Sequence, residues 1–219
     1  MPSYEKPDFW SLKAKKEGYP ARSVYKLQEL DEKFGLLPRD RGAGFKVLDL
    51  GAAPGSWSLY ILRKLGSRVL LRAVDPAPLS RQYDRGLFDG ENLSFIRGDM
   101  TDPGVRDLIL SGGPYNLVLS DAAPATTGNR SVDTLRSLAL AESALDYGEQ
   151  ALAPGGNIAL KVFQGGDMTA LLRRLREAFN TGKSFKPRSC RPGSFETYYV
   201  GLGKRREPSV TDPRRSAPF

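Results

Sequence analysis

Phe45-Lys-Val-Leu-Asp-Leu-Gly-Ala-Ala-Pro-Gly-Ser-Trp-Ser-Leu-Tyr-Ile-Leu-Arg-Lys-Leu65 reads as strand, turn and helix in immediate succession. The apolar run Phe45–Leu50 favours a β-strand, and Trp57–Leu65 has the spacing of a helix. Gly51 and Gly55 let the backbone turn tightly between them and let a ligand approach without a Cβ in the way. Such a unit opens a nucleotide-binding α/β sheet, although a bare strand-to-helix corner has the same outline. The two glycines stand four apart and no third follows, so the dinucleotide fingerprint is not met. Asp49, just before the turn, favours a cationic or zwitterionic adenosine ligand over a pyrophosphate. S-adenosylmethionine, with its ammonium and sulfonium charges, fits that description.

Outward from this unit, strand-like and helix-like runs alternate. Strands are predicted at 45–50, 69–74, 93–97, 115–120 and 157–162. Helices are predicted at about 56–65, 103–110, 131–152 and 167–179, with Asn129 or Ser131 capping the third, Asp167 the last, and Pro154-Gly-Gly156 ending the third. An earlier helix is expected at 22–34, where Val24, Leu27, Leu30 and Phe34 repeat at helical spacing and Gly35 supplies a stop. There Arg22 and Lys26 lie one turn apart on one face. This alternation means βαβ units and a mostly parallel sheet. After residue 180 the pattern changes: Ser184–Arg188 and Thr197–Leu202 are expected to pair as an antiparallel hairpin at the sheet edge. Three regions follow: a basic segment over 1–21, a domain over 22–203, and a Pro-, Arg- and Ser-rich tail over 204–219 expected to be disordered.

In an open parallel sheet, ligands bind beyond the carboxyl ends of the strands. Asp49 and the glycine turn end the first strand, Asp75 the second, and Asp99 follows the third. Asp121 follows the fourth, and Lys161 closes the fifth after Ile158-Ala-Leu160. Four carboxylates and a lysine therefore converge on one edge. Asp75, some 24 residues beyond Gly51, is placed to bind ribose hydroxyls, and Asp99 to accept from an adenine amino group. Trp57, in the first turn of its helix, is read equally as a ligand contact or as core. Burial lowers a lysine's pKa and a neighbouring carboxylate raises it, so Lys161 is read as a proton acceptor or as a strand-end lysine paired with Asp121.

Composition narrows the chemistry. The 219 residues, 40% of them hydrophobic, suffice for one sizeable α/β core. There is no histidine and one cysteine, Cys190, which excludes histidine acid–base catalysis, Cys/His zinc sites and an internal disulfide. Proton transfer falls to Lys, Asp, Glu or Tyr. A net charge of +8 points to a polyanion, nucleic acid before membrane. No apolar run approaches the roughly 20 residues needed to cross a bilayer, and the charged N-terminal residues have no apolar core of a leader, so a cytoplasmic protein is expected.

Arg22-Ser-Val-Tyr-Lys-Leu-Gln-Glu-Leu30, Asp49-Leu-Gly-Ala-Ala-Pro-Gly-Ser-Trp-Ser58, Leu119-Ser-Asp-Ala-Ala-Pro124 and Leu160-Lys-Val-Phe-Gln-Gly165 together resemble the FtsJ-type ribosomal RNA large-subunit 2′-O-ribose methyltransferases, over about residues 20–203. The resemblance implies a Rossmann-like class I S-adenosylmethionine-dependent fold. It also implies a Lys-Asp-Lys-Glu tetrad at Lys26, Asp121, Lys161 and Glu196, and cofactor contacts at Gly55, Trp57, Asp75, Asp99 and Asp121, to which the reading of the turn adds Gly51. S-adenosylmethionine is then the cofactor and S-adenosylhomocysteine the product, with no metal. The partner is RNA, most simply a uridine of 23S-type rRNA in the large ribosomal subunit, and a monomer is expected. The segment between Pro76 and Asn92 looks longer than in typical bacterial members, and the 204–219 tail has no counterpart.

The implied reaction is methyl transfer to a ribose 2′-hydroxyl held in line about 3 Å from the methyl carbon. Lys161 acts as base, Asp121 orients it, and Lys26 and Glu196 hold the ribose; alternatively Lys161 only orients a hydroxyl whose proton leaves late. Lys13, Lys15, Lys16, Arg22, Lys183, Lys186, Arg188 and Arg191 form the expected RNA surface, recognising the 2′-hydroxyl and local shape rather than a groove code. Competing readings are a tRNA or mRNA-cap ribose methyltransferase and a non-catalytic RNA-binding ribosome-assembly factor. A tetrad with a lysine at the ligand edge disfavours a pure binder, and the glycine spacing disfavours a dehydrogenase.

Overall fold

The computed structural model describes residues 8–39, 44–125, 127–165, 168–191 and 193–206. Helices α1 (Phe9–Glu17) and α2 (Val24–Phe34) precede strand β1 (Phe45–Leu50). There follow α3 (Ser56–Leu65), β2 (Val69–Asp75), β3 (Leu93–Arg97), α4 (Pro103–Ser111), β4 (Tyr115–Ser120), α5 (Arg130–Ala151), β5 (Leu152–Phe163), α6 (Thr169–Ala178), β6 (Phe179–Phe185) and β7 (Glu196–Lys204). The strands form one sheet in the order β3-β2-β1-β4-β5-β7-β6. The first five run parallel, and β7 lies antiparallel to both β5 and β6. The mostly parallel α/β sheet with an antiparallel C-terminal pair is as expected.

The strands are apolar on both faces because helices cover both. Val47, Leu117 and Leu119 face a core built with Leu27, Leu30, Leu59 and Ile61 of α2 and α3. Leu48, Leu50 and Val118 face the other, built with Ala144, Leu145, Leu171 and Leu175 of α5 and α6. Strand order reverses between β1 and β4, which opens a crevice at their carboxyl ends. Register sets what borders it: Leu50 pairs with both Val74 and Ser120, and Ser120 pairs with Leu160. Asp121 and Lys161 therefore leave adjacent strands at the same level.

Local chemistry fixes the helix starts. Asn129 caps α5 by accepting from the backbone N–H groups of Ser131 and Val132, and Asp102 caps α4 through Gly104 and Val105. Residue 167, the expected cap of α6, lies outside the described residues, as do 207–219 of the tail and 1–7 of the basic segment. Among the described residues no helix is long and apolar enough to cross a membrane.

Four expectations need correction. The segment expected to be merely polar and basic contains α1, capped by Asp8, which accepts from the Ser11 N–H, and closed by Gly18 at φ 72°. Helix α5 ends at Ala151, before the Pro154-Gly-Gly156 stop, because Leu152 already pairs with Tyr115. The sheet register then shifts before Leu117 meets Asn157, so β5 begins earlier than 157. The hairpin is present but displaced: its first strand is Phe179–Phe185 rather than 184–188, because Phe179 is buried in the sheet core and pairs with Lys204 instead of continuing α6.

Candidate active site

The glycine turn is a close-packed corner. Gly51 adopts φ 73°, and a Cβ there would lie 2.5 Å from the Ala122 Cα, so only glycine lets the turn touch the end of β4. Gly55, at φ 104°, leaves room for the Phe88 ring, whose Cζ a Cβ would approach to 2.8 Å. The segment between Pro76 and Asn92 thus folds back over the turn, and the Ser80 N–H donates to the Pro54 carbonyl at 2.9 Å.

Beside the turn lies a cleft of about 620 Å³, bordered by Gly51, Ala53, Asp75, Asp99, Met100, Asp121 and, from α5, Leu140 and Ser143. This volume is that of a small-molecule site. Both Asp75 oxygens accept from backbone N–H groups, Ala53 at 3.0 Å and Ala77 at 2.8 Å, so Asp75 shapes the turn as well as bordering the cleft. One Asp99 oxygen accepts from the Thr101 N–H and hydroxyl, and the residue is exposed. Below the turn, Asp49 is fully buried. One of its oxygens accepts from the Ser58 hydroxyl at 2.7 Å and the other has no partner among the described residues. Burial, with Asp121 and Asp75 nearby, pushes its carboxyl up to about 7 against the Ser58 hydrogen bond. The carboxylates of the lining, Asp75, Asp99 and Asp121, suit a ligand carrying cationic and hydroxyl donors.

At the next strand ends stand two ion pairs. Lys161 Nζ lies 3.1 Å from Asp121 Oδ1 and donates to the Asp121 backbone carbonyl at 2.5 Å. Lys26 Nζ lies 2.8 and 3.0 Å from the two Glu196 oxygens. The side chains of both pairs are at most 15% exposed. Burial favours the neutral Asp121 carboxyl, but Lys161, Lys26 and the Tyr198 hydroxyl outweigh it and hold its pKa below the ordinary value. Burial likewise disfavours the Lys26 cation, yet Asp121 and Glu196 raise its pKa on balance. All four residues of the expected tetrad therefore meet in one cluster. An ammonium has three donors; Asp121 takes two of the Lys161 directions, and no further Lys161 partner stands among the described residues.

Two of the expected cofactor contacts, Trp57 and Gly55, are not among the residues bordering this cleft. Trp57 is 2% exposed and packs in the core, its Nε1 donating to the Ser23 carbonyl at 2.7 Å and its ring 5.9 Å from that of Tyr198. It ties the start of α2, and hence Lys26, to α3, and it does not border the cleft. Gly55 likewise serves the fit against Phe88. Arg22, grouped with the RNA-facing cations, is instead bonded to Asp8 and to the Ser189 carbonyl, with its side chain 11% exposed. Lys15, Lys16, Lys183, Lys186 and Arg188 are exposed.

Three positions were not anticipated. Tyr198 is fully buried and donates to Asp121 Oδ1 at 2.6 Å; its pairing with Lys161 across β5 and β7 was hidden inside an ordinary β-prone run. Glu29 accepts from the N–H groups of Arg188 and Ser189 at 2.6 and 2.9 Å, fastening the basic turn to α2. Cys190 stands beside Glu196, and burial with that carboxylate pushes its thiol up to about 12, which leaves it unreactive.

Comparison with known proteins extends the geometry. The FtsJ-like methyltransferase family model matches residues 19–204. The "Ribosomal RNA large subunit methyltransferase E" of Treponema denticola is 52% identical over 200 residues, 91% of this chain and 96% of its own. The protein of that name from Nitratidesulfovibrio vulgaris strain Miyazaki F is 43% identical over 90% of this chain and 94% of its own. Among solved structures, a Plasmodium falciparum protein described as a ribosomal RNA methyltransferase superposes with a TM-score of 0.69 at 27% identity, covering 85% of this chain and 98% of that one.

Proposed function

This chain belongs to the FtsJ-like methyltransferase family, and we propose that it methylates a ribose 2′-hydroxyl of large-subunit ribosomal RNA, at a uridine, with S-adenosylmethionine as methyl donor. The observation that carries the proposal is the contact of Lys161 with Asp121 at the rim of the acidic cleft, with Lys26 and Glu196 paired alongside. The names of the relatives, which span nearly the same length, support the substrate assignment, and we read the reaction as cytoplasmic.

When bound, S-adenosylmethionine supplies a methyl group already activated by its sulfonium. Asp75 and Asp99 border the cleft and are assigned to its ribose hydroxyls and adenine amino group. The Gly51 turn gives close backbone approach, and Asp121 forms the wall nearest the acceptor. Lys161, as the neutral amine, keeps its N–H bonds to Asp121 and accepts the proton of the incoming 2′-hydroxyl through its lone pair. Asp121, fixed by the Tyr198 hydroxyl, keeps the lysine aimed. Lys26 and Glu196, locked by two close contacts, hold the ribose. The exposed lysines and arginines near Glu196 neutralise phosphates, an attraction that adds affinity without reading sequence.

Mapping 2′-O-methylation across total RNA from cells with and without the chain tests the proposal. The expected result is one ribose methylation of large-subunit rRNA that disappears with the protein. Loss of a base methylation, or of a ribose methylation confined to tRNA or caps, would contradict it.

A further inference from the structure

Two aromatic rings stand at the mouth of the site with no core to serve. Phe163 closes β5 two residues after Lys161, and Phe195 immediately precedes β7 and Glu196. Their rings meet edge to face, with centroids 5.4 Å apart and an interplanar angle of 80°. Both are partly exposed, and neither belongs to either of the two core clusters. Their placement is firmly set: Phe163 pairs with Glu196 across the sheet, the Phe163 N–H donates to the Ser137 hydroxyl, and the Gln164 N–H donates to the Phe195 carbonyl at 2.6 Å.

A cation completes the group. Arg130, in the first turn of α5, is exposed and holds its guanidinium 4.8 Å from the Phe195 centroid. A cation at a helix N-terminus opposes the helix dipole, and Arg130 has no ion pair among the described residues, so helix stability does not account for it. A planar cation over one ring of a partly exposed aromatic pair is the chemistry that receives nucleobases in single-stranded RNA.

We propose that Phe163, Phe195 and Arg130 form a stacking site for a nucleobase next to the acceptor ribose. The inference rests on the reading of the chain as an RNA ribose methyltransferase and deepens it. Two strand residues span about 6.8 Å, so Phe163 stands from Lys161 at the reach of a nucleotide whose 2′-hydroxyl is at the lysine. Stacking on this site requires an unpaired, splayed nucleotide and tolerates any base, since every base offers a π-face. The group thereby selects for an accessible loop or unpaired position rather than for a sequence.

The test uses the full chain, labelled S-adenosylmethionine and large ribosomal subunits from cells lacking the modification, with KM for subunits and kcat measured separately. Phe195→Leu and Phe163→Leu should each raise KM roughly 5- to 150-fold, the range for loss of one base–aromatic stack, with kcat and S-adenosylmethionine affinity unchanged. Phe195→Tyr should restore wild-type KM, because it restores the ring face. Arg130→Gln, a surface change that cannot unfold the chain, should also raise KM. Unchanged KM in the Leu variants overturns the proposal, as does failure of Phe195→Tyr to rescue, or a KM rise accompanied by equal losses in cofactor affinity and Tm. A wild-type protein that methylates no ribose removes the functional reading, and this inference with it.

Discussion

Asp49→Asn should flatten the pH dependence of folding stability. The Asp49 carboxyl is fully buried, with one oxygen unpartnered, and its pKa rises from 3.8 to about 7. A carboxyl whose folded-state pKa is raised binds its proton more tightly when folded, so its contribution is full below the unfolded pKa and is lost as pH climbs through the folded one. Each unit corresponds to about 1.36 kcal/mol. Between pH 5 and the native pKa near 7 the chain should therefore lose about 2 kcal/mol from this group, and little more above it. Asparagine keeps the size and cannot ionise, so urea unfolding at pH 5, 6, 7 and 8 should show the variant gaining on the wild type by about that amount across the series. Parallel stability curves for the two proteins would refute the reasoning.

Asp75→Ala should weaken S-adenosylmethionine binding in a calorimetric titration and lower stability slightly, since both oxygens also hold backbone N–H groups; unaltered affinity removes Asp75 from the site. Tyr198→Phe deletes a hydroxyl bonded to an ionised carboxylate, worth about 1.5–3 kcal/mol. It should lower kcat by roughly 10- to 150-fold while leaving cofactor affinity intact, and an unaffected kcat would make the bond purely structural. Binding to large-subunit RNA should fall with salt on a log–log plot, and Lys186→Ala or Arg188→Ala should each reduce the slope by about 1; a slope near zero contradicts an RNA substrate.

Much of the site was readable because the sheet rule converts order along the chain into position. Asp75, Asp99, Asp121 and Lys161 each follow a strand of strong β pattern, and parallel register brings those ends to one edge. Lys26 and Glu196 lie outside that rule, on α2 and at the start of an antiparallel strand, and only the family resemblance placed them. Trp57 was readable equally as a ligand contact or as core, and its contacts with the Ser23 carbonyl and the Tyr198 ring are tertiary ones that no local pattern encodes. Helix α1 escaped notice because Phe9 and Leu12 are exposed and Ala14 is its one buried residue, so no apolar stripe marks it. Strand β6 was misplaced because Gly182 weakens its β signal. The glycine is there because a Cβ would come within 2.7 Å of the Arg176 Cγ.

Lys161, aimed by Asp121, is proposed to drive methyl transfer to a ribose oxygen. This is tested by incubating wild-type protein and Lys161→Ala with S-adenosylmethionine and undermethylated large subunits, followed by nuclease digestion and mass spectrometry of the nucleosides. A 2′-O-methylated nucleoside is expected from the wild type and none from Lys161→Ala, with equal cofactor affinity in both. Normal turnover by Lys161→Ala, or a methyl group found on a base, would contradict it.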